Sequence, residues 1–433
     1  MRSISFRSVF VACADDATNA AIAARAGQFI PRDPRPDSPV ICRLLVRDAE
    51  IRRLWQQEKV VEWGAGAAGP HPNYHIHFNY LDMLDTAARQ ALQMFPLDIE
   101  PIRRANDTKR VHVVIVGGGP MGQAMMKHAA RLGHFANETP ARRTRITLVD
   151  THAVAIVVAE KQRCDKWDDF CELTGRNMDP ASTGFTGNLK KFLQPVAPGN
   201  PASLDELQTV VLCLETDETV REVVTPENDD ENWKLGLDLM SLTRHGGRQV
   251  LVYQSTRSGF AALLSTNTAD SARRLRLFGM IEDVHSQSVL LKESEYRLAR
   301  AIHDDYARRH HDKTWEALEV EIQESNRHAA DHAPVKLRAL GFHIAPLNPN
   351  QKPIESFDDP QKKLMAKMEH ERWCAERWLD GWKYGKKKDR KRKISDCLLP
   401  WEKLTPKQRE KDFEQIETLP QILRSIGQGI YPL

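Results

Sequence analysis

The stretch VHVVIVGGGPMGQAMMKHAA, residues 111–130, constrains the fold of this chain more than any other. Val111–Val116 is a short run rich in β-branched residues, the composition of a buried parallel strand. It runs into Gly117-Gly118-Gly119-Pro120-Met121-Gly122, a G-x-G-x-x-G. From Gln123 the pattern is helical, with Met125, Met126, Ala129 and Leu132 on the apolar side. Downstream, ITLVD ends a second strand in Asp150, a carboxylate placed to accept hydrogen bonds from ribose hydroxyls. In such a unit Gly117 permits the tight turn, Gly119 lets the backbone approach a pyrophosphate, and Gly122 lets helix and strand pack closely. The phosphates then sit at the helix N-terminus, around Pro120 and Met121, where free N–H groups favour negative charge. The competing reading is a glycine-rich turn that binds nothing.

A chain of 433 residues has room for two or three domains around a sizeable core. Its 41% hydrophobic and 28% charged residues are those of an ordinary soluble protein. A net charge of +3 gives no general affinity for nucleic acid or membrane, so no specific nucleic-acid partner is expected and any basic site must be local. No run of about eighteen apolar residues occurs, and the N-terminus lacks the pattern of a signal peptide. Seven scattered cysteines argue for a reducing, cytoplasmic setting, with Cys13, Cys42 and Cys213 buried in strands. There is no CxxC, and HPNYHIH (His71, His75, His77) lacks a further ligand nearby, so no metal site is expected.

Two segments about two hundred residues apart repeat one pattern. SVFVACADDATNAAI from Ser8 parallels TVVLCLETDETVREV from Thr209: a strand, then Asp16 or Asp217, then Thr18 or Thr219, then a helix. PVICRLLV from Pro39 parallels RQVLVYQS from Arg248. HFNYLD and LFGMIED follow, each leading to a helix with an Ala-Arg pair, Ala88-Arg89 or Ala299-Arg300. A constant offset is the behaviour of a duplicated domain. Nothing before Ser8 corresponds to residues 111–150, so the first copy is expected to be partial, with its glycine loop encoded upstream of Met1.

Within the second copy, Thr151–Gly175 reads as helix and Arg176–Ser203 as a loop insertion around a turn at Leu189–Leu193. The strand Val210–Leu214 ends in Glu215-Thr216-Asp217. Ligands lie outside the carboxyl ends of parallel strands, which places Glu215 and Asp217 at the same crevice. Capping of the next helix is the alternative role for Asp217. PENDDENW, from Pro226, reads as an acidic surface loop.

On the matches VVIVGGGPMGQA, ITLVD, VACADDATN and VLCLETDETV, Ser8–Asp48 and Val111–Ser258 resemble the TrkA-type nucleotide-binding domains, also called regulator-of-conductance domains. The resemblance implies NAD(H), or alternatively ATP or ADP, as ligand. It also implies a homo-oligomer coupled to a membrane channel or transporter for potassium, and a location at the inner membrane through that partner. Asp150 suits an unphosphorylated ribose, hence NAD rather than NADP. The missing first glycine loop and the long insertion before Leu204 depart from the family.

From Ser294 the composition turns helical, charged and tryptophan-bearing. Tyr296–Arg309 has Leu298, Ala299, Ile302 and Tyr306 at helical spacing, a second helix runs through Leu340, and APLNPNQKP reads as a linker. The tail carries Met368-Glu369-His370, Trp373, Asp380-Gly381-Trp382, Tyr384-Gly385, Pro400-Trp401, Leu404, Lys411-Asp412 and Leu419-Pro420. This string closely resembles the RyR domain, the repeat module of ryanodine receptors. The segment before it resembles a degenerate copy: LARAIHDDY parallels LMAKMEHERW, and Trp315 to Asn326 has the spacing of Trp401 to Asp412. The expected architecture is therefore α/β. A partial Rossmann-like doubly wound sheet (1–108) and a complete one (109–290) precede a degenerate RyR-like repeat (291–345) and an RyR domain (346–433).

No catalytic residue is assigned. His303 and His370, beside Asp304 and Glu369, suit local hydrogen-bond networks better than proton transfer. Trp373, Trp378, Trp382, Tyr384 and Trp401 are either core or a stacking platform for a planar ligand, with Glu369, His370 and Asp380 as polar partners. Lys386, Lys387 and Lys388 open the basic run KKKDRKRK, a solvated loop or a phosphate site. The expectation is a nucleotide-binding regulator, with the RyR modules binding a second ligand or partner. The alternative is an NAD-dependent oxidoreductase. That needs a proton-transferring group, and no Ser–Tyr–Lys or His–Asp arrangement after Asp217 supplies one.

Overall fold

The computed structural model describes residues 8–11, 15–29, 40–46, 76–194, 205–215, 227–241, 247–255, 275–284, 286, 296–315 and 318–433. Strands β1 (Ser8–Val11), β2 (Val40–Leu45) and β3 (Ile76–Leu81) form a parallel sheet in that order, with α1 (Asp16–Phe29) after β1 and α2 (Met83–Met94) after β3. The larger sheet begins with β4 (Arg110–Val116), α3 (Pro120–Leu132), β5 (Arg145–Asp150), α4 (Ala153–Arg163), α5 (Trp167–Phe170) and β6 (Glu172–Asn177). It continues through α6 (Phe185–Leu193), β7 (Glu206–Leu212), α7 (Glu227–Leu239), β8 (Arg248–Tyr253), β9 (Leu275–Phe278) and α8 (Ile281–Val284). Its six strands are parallel in the order β6-β5-β4-β7-β8-β9, a Rossmann-like α/β sheet whose direction of winding reverses between β4 and β7. The run β7-β8-β9 has the same order and sense as β1-β2-β3.

β4 is buried along its whole length, and its alternate residues serve two cores. Val111, Val113 and Ile115 pack with Met121, Met125, Met126 and Ala129 of α3. Val114 and Val116 pack on the other face with Phe185, Leu189 and Leu193 of α6 and with Trp233 and Leu239 of α7. The α3 face also takes in Ala87, Ala88, Ala91 and Leu92 of α2. So the helix that follows the small sheet in sequence covers the large one.

Several expectations need correction. The helix after Asp150 stops at Arg163, and Glu172–Asn177 is the edge strand β6. Only Leu173 of that strand is buried, so it has no alternating apolar signal. The supposed acidic loop PENDDENW lies largely in α7. Two of its polar residues face inward, while Asp230 and Glu231 are exposed: Asn232 bonds both the N–H and carbonyl of Leu214, and Asp229 accepts from Ser255 N and Oγ. The turn at Leu189–Leu193 is the end of the longer helix α6, and β7 begins at Glu206.

The C-terminal region contains α9 (Arg297–His310), α10 (Val320–Ala339), β10 (Phe342–Pro346), α11 (Asp359–Leu379), β11 (Lys383–Tyr384), β12 (Ile394–Ser395), α12 (Pro406–Ser425) and β13 (Gln428–Pro432). The expected linker therefore starts as a strand: Ala345 and Pro346 end β10, which pairs antiparallel with β13, and the boundary at 345 falls inside it. α9 packs on α10 and α11 on α12, while α9 also meets α12 and α10 meets α11. The two helix pairs thus repeat one pattern of contacts. Their internal ties match. His303 Nε2 donates to the Lys313 carbonyl (2.8 Å), and His370 Nε2 donates to that of Leu399 (2.7 Å). Each acceptor lies two residues before a buried tryptophan, Trp315 or Trp401. No helix among the described residues is long and apolar enough to cross a membrane.

Candidate nucleotide site and the interface behind it

The reversal of winding places the ends of β4, β5 and β7 around one crevice. Gly117 has φ 113°, and a Cβ there would overlap the Cys213 carbonyl. A Cβ on Gly122 would overlap the Gly117 carbonyl. Both glycines are thus demanded by the turn and by helix–strand packing, before any ligand is considered. Gly122→Ala is expected to cost about 2–3 kcal/mol, as overpacking against backbone that has nowhere to move. A denaturation midpoint equal to wild type would refute this.

The polar groups at the loop are largely engaged within the protein. Gly118 N donates to Asp150 Oδ2 (2.8 Å), and Asp150 Oδ1 accepts from His152 N (2.9 Å). Gly119 is the N-cap of α3 and has no side chain to cap with, while Pro120, next in line, has no N–H. The following donor, Met121 N, gives its hydrogen to Glu215 Oε1 (3.1 Å). Glu215 Oε2 is buried without a partner, and burial pushes the carboxyl up to about 7. Gly117, Gly119, Pro120, Met121, Gly122, Asp150 and Glu215 thus come together as the sequence predicts; Asp217, Thr219, Cys13, His71 and His75 lie outside the described residues. The glycine turn, the Asp150 carboxylate at the end of β5 and the N-terminus of α3 between them border one crevice, with Glu215 in contact with Met121 N.

Behind the loop, α3 runs into an interface with α10 and α11. Val335 and Ala339 of α10 and Met368 and Ala375 of α11 join the core that contains α3. Around this contact lies a buried polar belt. Arg89 of α2 donates to Asp331 (2.8 Å) and Glu324 (3.1 Å) and pairs with Asp85, which is bonded to His128 of α3 (2.6 Å). Burial opposes the charge on Arg89, and the carboxylates of Asp331, Asp85 and Glu324 outweigh it, raising its pKa further. Arg338 pairs with Asp98 through two nitrogens, His332 Nε2 donates to the His134 carbonyl (2.9 Å), and Phe170 stacks on Trp378. Nothing in the sequence marked this belt, because charged residues on α10 have the hydropathy of a solvated face.

The residues expected to bind a ligand in the tail divide into two groups. Glu369, His370 and Trp401 are buried. Glu369 accepts from Lys336 and Arg372, and His370 lies 3.5 Å from Asp412. Trp401 lies beneath the Arg409 guanidinium. These three hold the module together and line no open surface. Trp373 and Asp380 are partly exposed and Tyr384 is exposed, beside exposed Lys386, Lys387 and Lys388, whereas Trp382 is buried with Cys374 and Leu398. There the Arg377 guanidinium lies 4.9 Å from the Trp382 ring and 5.7 Å from that of Trp373, so part of the aromatic surface is already faced by a cation. Arg377 was missed in the sequence, although its place four residues after Trp373 on one helix face signals the pairing. Asp380 lies 3.8 Å from Arg131 of α3, and burial pushes its carboxyl up to about 6.

No curated protein matches the chain. A family model matches the tail, and its limits fall in the β10–β13 ladder that closes the module on itself. Residues 342–431 match the RyR domain, and the chain therefore carries an RyR domain at its C-terminal end.

Proposed function

We propose that this chain is a nucleotide-binding regulator in which occupancy of the glycine loop is passed to the RyR domain. The observation that carries the reading is the course of α3. This single helix of 13 residues starts at the loop with Pro120 and ends in the interface beside Arg131. At 1.5 Å per residue it spans about 20 Å, a rigid connection with no hinge in it. A ligand that favours one placement of α3 then favours one placement of the helices seated on it, provided its affinity differs between the two. NAD(H) is the ligand best suited to Asp150, with ATP or ADP as the alternative. The output, by the TrkA-type resemblance alone, is a potassium channel or transporter contacted as a homo-oligomer.

Calorimetry with NAD, NADH, ATP and ADP tests the reading. Gly119→Asp is expected to weaken binding by about a hundredfold or more, since a carboxylate about 4 Å from a phosphate costs roughly 4 kcal/mol at intermediate dielectric. Absence of binding by the wild-type chain sinks the proposal. Consumption of NADH with a small carbonyl substrate would instead establish an oxidoreductase.

A further inference from the structure

Glu215 occupies a place that a ligand needs. Pro120 removes one N–H from the first turn of α3, so Met121 N is the first donor the helix offers, and Glu215 Oε1 holds it at 3.1 Å. Gly119 leaves a cradle with no side chain, and Glu215 Oε2 fills it: a Cβ on Gly119 would overlap that oxygen. We infer that Glu215 is a built-in competitor for the diphosphate of an adenine dinucleotide, so that binding at the loop requires Glu215 to take up a proton. The inference rests on the nucleotide reading and adds its regulation.

The groups around Glu215 define how it responds. Cys213, after β7, and Tyr253 of β8 both lie within reach of its charge, with Asp150 of β5 a second carboxylate near Cys213 and Asp229 of α7 one near Tyr253. From α3 it meets only the Met121 N–H. No described cation offsets its charge, which is why burial governs its titration and sets the midpoint at about 7. Ionised, the carboxylate repels a phosphate across the same N–H. Protonated, it gains an O–H that a phosphate oxygen can accept, and Oε2, buried and without a partner, is the atom placed to carry that proton. One side chain therefore switches from competitor to donor across neutral pH.

The test is calorimetry on the full chain with NAD and with ADP-ribose, at pH 6 and pH 8, in buffers of different ionisation enthalpy. Wild type is expected to bind about tenfold more weakly at pH 8, because the competent protonated fraction falls by that factor, and to take up close to one proton per ligand there. Glu215→Gln, nearly isosteric, is expected to bind equally at both pH values with no proton uptake, and Glu215→Ala to behave likewise. Proton uptake that persists in both variants but vanishes in Asp150→Asn would assign the proton to Asp150 and overturn the inference. Binding by all variants without any proton uptake would overturn it while leaving the nucleotide reading intact. Failure of every form to bind either probe at either pH would remove both.

Discussion

Glu369→Ala is expected to destabilise the helical unit by about 3–5 kcal/mol, the cost of breaking a buried ion pair from one side. Glu369 is 2% exposed and accepts from Arg372 Nε and Nη2 at 3.1 and 2.7 Å, and from Lys336. Lys336 already titrates below the usual lysine range, because burial outweighs its attraction to Glu369. Without that carboxylate Lys336 would lose its proton, while Arg372 would keep its charge and have only Glu376 to answer it. A companion variant separates the loss of an ion pair from the loss of packing. Lys336→Met with Glu369→Met replaces one pair by apolar volume and is expected to lose less than Glu369→Ala alone. Denaturant midpoints of the two variants check this, and a double variant weaker than the single would count against the account.

Arg89→Met is expected to loosen the seat of the helical unit by a comparable amount, about 3–5 kcal/mol. The substitution keeps most of the side-chain volume and strands Asp331, which is buried, along with the partly exposed Glu324 and Asp85. Asp331 retains only Gln93, and His128 retains Asp85. Hydrogen exchange is the direct measurement: amides of α10 should lose protection, while those of β4 and β7 in the sheet core should keep theirs. Unchanged protection of α10 would show that the apolar contacts of Val335, Ala339, Met368 and Ala375 hold the interface without the belt.

The parts of this architecture that were legible in the sequence are those where backbone geometry or burial leaves no choice of residue. Gly117 and Gly122 stand where a side chain would overlap a carbonyl, and β4 is apolar on both faces because both are covered. The tail was legible because tryptophans and their spacing recur in a known module. What escaped reading was polar structure turned inward. Asn232 and Asp229 belong to a helix that ties down loop ends, yet their composition is that of a surface loop. Arg89, Asp331 and Glu324 are likewise the residues of an exposed face until their partners, far off in the chain, are known. Glu215 was placed at the crevice as a strand-end acid, but its contact with Met121, 94 residues away, depends on the switch in strand order.

The loan of α2 has a consequence for where this chain can be cut. A division at residue 109, natural from the sequence, would strip Ala87, Ala88, Ala91 and Leu92 from the core of the large sheet and leave an apolar flank open to water. It would also remove Arg89, Gln93 and Asp98, through which α2 and the segment after it grip α10. A fragment that keeps these contacts therefore begins no later than Asp82, whose side chain caps α2 by accepting from Asp85 N.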